Sequence, residues 1–238
     1  MADWINEATI YVQSALAEQA NPEKAAGMQG YMKTDMPFYG VQKPGRVPIV
    51  KHLVKNFPPS SRAEYEKLVM ALWRLPHREE KYIAQGVAVK HRQFMVPASL
   101  PLYRRFVVEG AWWDFVDEAS THMIRELVLD DPGKIWSKVD KWITNQNMWL
   151  RRSSIICQIG AKERTDAERL FSFCEQRAFE TEFFIRKAIG WALREYAKTD
   201  GEAVATFVTK HREDLSGLSY REATKHIGHL VSAPAGER

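Results

Sequence analysis

Apolar residues recur at three- and four-residue spacing along nearly the whole chain, and no stretch alternates Val, Ile and Thr between Gly-Asn turns. That periodicity places side chains on one face of a helix, so the sequence predicts an all-α fold of about a dozen helices. Punctuation by Asn21-Pro22, Pro58-Pro59, Pro76, Pro97, Asp131-Pro132-Gly133 and Gly201 divides the chain into segments of one helix each. Ser61 with Glu64, Thr165 with Glu168 and Ser219 with Glu222 match the reciprocal capping pattern and are expected to start helices. The one long irregular stretch is 33–46, which contains Met36-Pro37-Phe38-Tyr39-Gly40-Val41, and loops of that length commonly serve function.

Trp113 and Trp149 lie 36 positions apart and Arg151 and Arg186 lie 35 apart, one helical-hairpin period. Hairpins of that size are expected to stack as HEAT-like repeats into a curved solenoid with a concave basic groove, a single domain over residues 1–238, the alternative being an irregular globular α domain. The second helices of the repeats, expected at 79–92, 112–127, 148–159 and 182–196, would line the groove.

Composition narrows this picture. Hydrophobic residues make up 45% of the 238 and charged residues 27%, a soluble globular balance too apolar for disorder. The start of the chain has early acidic residues and no long apolar run, so neither signal peptide nor membrane span is expected, and the expected compartment is the cytoplasm. Cys157 and Cys174 sit in apolar periodic segments without metal-ligand spacing and read as reduced core thiols. The net charge is +4 and the pI about 9.0. The basic residues cluster at Lys90-His91-Arg92, Arg104-Arg105, Arg151-Arg152 and Lys210-His211-Arg212, and on one face they would attract a polyanion through phosphate contacts.

Candidate chemistry is sparse and therefore informative. Trp113 and Asp117, four residues apart in one helix, project an indole and a carboxylate from the same side. Trp112 lies about 100° further round; one of the two tryptophans packs inward and the other faces out, and the spacing does not choose. The next expected inner helices supply Arg151 and Arg152, then Arg186, Lys187 and Trp191. No HExxH, phosphate-binding glycine loop or GxSxG elbow is present, which leaves metalloprotease, NTPase and serine-hydrolase readings without support. No metal site or cofactor is expected.

Tyr31 with the 36–41 loop, Trp112-Trp113-Asp114-Phe115-Val116-Asp117, Trp149-Leu150-Arg151-Arg152 and the run from Arg186 to Tyr196 together resemble the AlkD-like DNA alkylation repair glycosylases, which are built from HEAT-like repeats. The resemblance spans almost the whole chain. It implies a monofunctional, cofactor-free, monomeric enzyme acting on duplex DNA that contains alkylated purines. Asp117 would be the catalytic carboxylate, Trp113 and Trp191 the indoles lining the groove, and Arg152 the phosphate-binding arginine, with Tyr31, Arg151 and Lys187 as further DNA contacts. It also implies a grip through backbone and sugar rather than extrusion of the base. The competing expectation is a protein-interaction scaffold or a non-catalytic binder of unusual DNA, since fold alone never fixes function.

Overall fold

The computed structural model describes residues 3–231. Among these the chain is all-α, with fourteen α-helical segments and no strand. Contacts gather into two compact units, 1–99 and 100–238.

The first unit comprises α1 (Asp3–Ala17), α2 (Pro22–Met32), α3 (Lys43–Asn56), α4 (Arg62–Trp73) and α5 (Arg78–Lys90). Its core follows the four-residue stripe read from the sequence. Ala8, Val12 and Leu16 of α1 are fully buried with Leu53, Leu68, Leu72, Ile83 and Val87, each large side chain contributing about 1.5–3 kcal/mol of apolar burial. Pro22 opens α2 behind the Asn21 cap, whose side chain accepts from Lys24 N, yet no residue of α2 is buried.

The loop before α3 is shorter than expected, ending at Gln42, and it is firmly fastened. Glu79, fully buried at the start of α5, accepts backbone N–H groups from Tyr39 at 3.1 Å, Gly40 at 2.8 Å and Val41 at 3.0 Å. Arg78 N donates to Pro37 O at 2.9 Å, and the Tyr39 ring stacks on His77 at 3.9 Å. Gly40 has φ +85°, and a Cβ there would come within 2.1 Å of Asn21 O, so only glycine fits.

The second unit runs through α6 (Leu100–Gly110), α7 (Trp113–Glu118), α8 (Arg125–Asp130), α9 (Pro132–Val139), α10 (Met148–Ile156), α11 (Ala167–Arg177), α12 (Phe183–Tyr196), α13 (Gly201–Lys210) and α14 (Gly217–Thr224). A π-helical stretch, Ala119–Ile124, joins α7 to α8 without a break. Such insertions re-aim the turns around them and often mark functional positions. Within this unit α10 packs on α6, α7 and α12, and α12 packs on α14. Cys157 and Cys174 are buried free thiols, and burial pushes both well above the usual thiol range.

Two of the three expected caps fall elsewhere. Ser61 does cap α4, accepting from Glu64 N, although Glu64 turns its carboxylate to Ser60 rather than completing the box. Helix α11 is capped by Asp166, one residue after Thr165, through Arg169 N at 3.0 Å. Helix α14 is capped by Ser216, and Ser219 is already helical, its hydroxyl donating to Arg186 O at 3.0 Å. In both cases a better-placed acceptor, one residue downstream of Thr165 and three upstream of Ser219, takes the first free N–H groups. Among the described residues, no helix is long and apolar enough to cross a membrane.

Candidate active site: a buried carboxylate held by an arginine

Asp117 lies at the end of α7, one turn after Trp113, and both are half-buried. Its backbone carbonyl accepts from Thr121 Oγ1 at 2.8 Å, so the change from α to π winding begins beside the carboxylate. Behind it, the buried hydroxyls of Ser120 and Ser153 lie 2.8 Å apart and fix this helix against α10.

From α10, Arg152 reaches Asp117 with both sides of its guanidinium. Nε donates to Oδ1 at 2.8 Å and Nη2 to Oδ2 at 2.9 Å, while Nη1 donates to Phe184 O at the start of α12 at 2.6 Å. This fork geometry is the strong form of the arginine–carboxylate pair. Arg152 is only 4% exposed, so one side chain ties three helices together. The expected phosphate clamp is therefore turned inward, with three of its five N–H donors already committed.

Trp112 caps α7 from an extended backbone conformation and packs into an aromatic cluster, 6.0 Å from Trp149 and 5.4 Å from Phe184, whose rings lie 4.9 Å apart. Its indole Nε1 is buried without a hydrogen-bond partner. The Phe184 ring also lies 5.9 Å from the Arg152 guanidinium carbon. The choice between the two tryptophans left open by spacing thus has a placement: Trp112 packs among aromatics, and Trp113 shares the stripe of Asp117.

Burial is the largest influence on Asp117 and raises its carboxyl above the usual aspartate range; the Arg152 hydrogen bonds and charge pull it back without cancelling the rise, and Asp114 adds to it.

The other expected residues are distributed differently. Arg151 points away from this pair into an ion pair with Glu180 at 2.8 Å, and its Nη1 donates to the carbonyls of Asn145 and Gln146 at 2.7 and 2.8 Å. It ties the loops before α10 and α12 rather than presenting a charge to solvent. Lys187 and Trp191 both lie on α12, with Lys187 Nζ 2.9 Å from Glu222 Oε1. Tyr31 is on α2 of the first unit, 71% exposed. Phe184, Glu180, Glu222 and the Ser120–Ser153 pair do not emerge from the sequence, because their partners lie 28 to 35 residues away and no local pattern marks them. Among the described residues, no three His, Cys, Asp or Glu side chains come together as metal ligands.

A search of curated proteins finds no significant match. A solved structure from Enterococcus faecalis, described as a predicted DNA alkylation repair enzyme, superposes with a TM-score of 0.80 at 30% identity, over 87% of this chain and 96% of that one. Residues 12–227 match the family described as DNA alkylation repair enzyme. The chain belongs to the DNA alkylation repair enzyme family.

Proposed function

We propose that the protein is an AlkD-like monofunctional DNA glycosylase that hydrolyses the N-glycosidic bond of cationic alkylated purines, such as 3-methyladenine and 7-methylguanine, in duplex DNA. The observation that carries the reading is Asp117, a half-buried carboxylate gripped by Arg152 and sharing a helical stripe with Trp113.

A purine alkylated at N3 or N7 is already positively charged, so it departs as a neutral base without a general acid. Cleavage then needs only stabilisation of the oxocarbenium-like sugar and a placed water. Asp117 supplies the negative charge. Its two oxygens each accept once from Arg152, which leaves lone pairs for water or for the sugar face. Removal from bulk solvent strengthens its field, and the three-point anchoring of Arg152 keeps the carboxylate from relaxing away. Trp113 and Trp191 hold the deoxyribose between ring faces, whose negative quadrupole favours a developing cation. Lys187 and Tyr31 are contacts to the duplex backbone, whereas Arg152 and Arg151, turned into internal pairs, orient Asp117 and the loops before α10 and α12. The protein acts as a monomer, without a cofactor.

The test is release of methylated base from duplex DNA containing 7-methylguanine, followed in single turnover. The intact protein is expected to release it, and Asp117→Asn to lower the rate by about 10²–10³, the scale of removing one electrostatic stabiliser. An intact protein that binds such DNA and releases no base would overturn the enzymatic reading.

A further inference from the structure

Helix α14 approaches α12 so closely at Gly190 that a Cβ there would lie 2.4 Å from Glu222 Cβ. That approach sets the Glu222 carboxylate between two cations of α12. Lys187 Nζ is 2.9 Å from Oε1, and Arg194 Nη1 contacts Oε2. The Lys187 hydrogen bond, with the charges of Lys187, Arg194 and Lys225, holds the Glu222 carboxyl below its usual range. Three cations around one anion leave a local excess of positive charge. Trp191 lies one turn after Lys187 and three residues before Arg194, on the same face of the helix.

The ion pairs of this unit differ in how readily they could exchange. In the Arg152–Asp117 pair the side chains are 5% and 17% exposed, whereas in Lys187–Glu222 they are 36% and 23%. A buried pair cannot lose one partner without stranding a charge. A solvent-open pair is weakly held and can trade one anion for another.

We propose that Lys187 and Arg194 form a phosphodiester site beside Trp191, and that Glu222 occupies it in the free protein as an internal stand-in for the phosphate. The carboxylate presents one oxygen to each cation, as the two non-bridging oxygens of a phosphodiester would. The inference rests on the reading that α12 meets duplex DNA, and extends it by naming the group that DNA must displace.

Counterions supply the test. With Glu222 in place, a phosphate entering the site displaces a protein carboxylate and releases little salt. Without it, the two cations neutralise the phosphate outright, and the cations condensed on the DNA there are released with no carboxylate left needing a new partner. Glu222→Gln is expected to bind unmodified duplex DNA about 3- to 10-fold tighter at low salt, with the slope of log K against log salt steeper by about 1. Adding Lys187→Gln and Arg194→Gln to that variant should abolish the gain. Glu222→Ala, which keeps the Cβ packed on Gly190, should reproduce it, and melting curves establish that each variant is folded at the temperature used. Folded Glu222 variants with wild-type affinity and slope, or with weaker binding, overturn the proposal. Wild-type protein with no salt-dependent affinity for DNA would remove the DNA-binding reading itself, a separate and recognisable outcome.

Discussion

At Asp117 two influences oppose each other, and their balance sets how the site responds to pH. Burial disfavours the carboxylate, Arg152 favours it, and the result is a carboxyl raised above the usual aspartate range. Catalysis as proposed needs the ionised form, so single-turnover excision should fall as pH drops through a value above that range. The sign for stability is the reverse. A raised native pKa means that folding favours the protonated form, so this group's contribution to stability is greatest below the unfolded pKa and is lost as pH rises through the native one. Activity and the Asp117 contribution to stability should therefore move in opposite directions on mild acidification. Single-turnover rates and melting temperatures across the same pH series check this, and a rate flat down to the ordinary aspartate range would contradict it. Spacing alone paired Trp113 with Asp117. It did not reveal that Arg152 is consumed in orienting the carboxylate, because that bond crosses 35 residues of sequence.

Among the elements, helices were the legible part, since each buries a continuous apolar stripe that leaves its period in the sequence. The stretch Ala119–Ile124 escaped because six residues of π winding are too few to shift that period visibly. The caps at Thr165 and Ser219 misled because several Ser, Thr and Asp residues competed for the same N–H groups. The 36–41 segment was recognised as unusual, but its fastening was not, since Glu79 reads as one more charge at a helix start until its three backbone partners are seen. That carboxylate is fully buried, and a hydrogen bond to a charged acceptor contributes about 1.5–3 kcal/mol. Glu79→Gln exchanges one acceptor oxygen for an amide that cannot accept from the loop N–H groups. It should destabilise the first unit by at least about 2 kcal/mol and speed amide hydrogen exchange at Tyr39, Gly40 and Val41. Unchanged melting and unchanged protection at those three amides would show that the loop is held by other contacts.

For the molecule as a whole, the family follows from residues spread over 12–227, while the behaviour of its charge depends on pairings that only the fold makes visible. The net charge of +4 hides 34 lysines and arginines against 30 acidic residues, and the clusters in the sequence suggested a broad phosphate-binding face. One of those clusters and a cation outside them are already spent. Arg151 is held by Glu180, Arg152 by Asp117, and Arg169 by Asp140 and Asp166. Cations already paired inside the protein neutralise no phosphates, so they release none of the counterions condensed on DNA and add nothing to the salt dependence of binding unless DNA breaks their pairs. Affinity for duplex DNA should accordingly fall with salt at a moderate log–log slope, between about −2 and −5, and depend little on sequence. Between 50 and 200 mM salt that range corresponds to a loss of about 15-fold to 1000-fold. Titrations of two unrelated duplexes across that range measure both the slope and the sequence dependence. A slope near zero would mean that phosphates are not what the protein grips, and a slope near −10 would mean that the internal pairs open on binding and that the buried Arg152–Asp117 bond is not the fixed element assigned to the site.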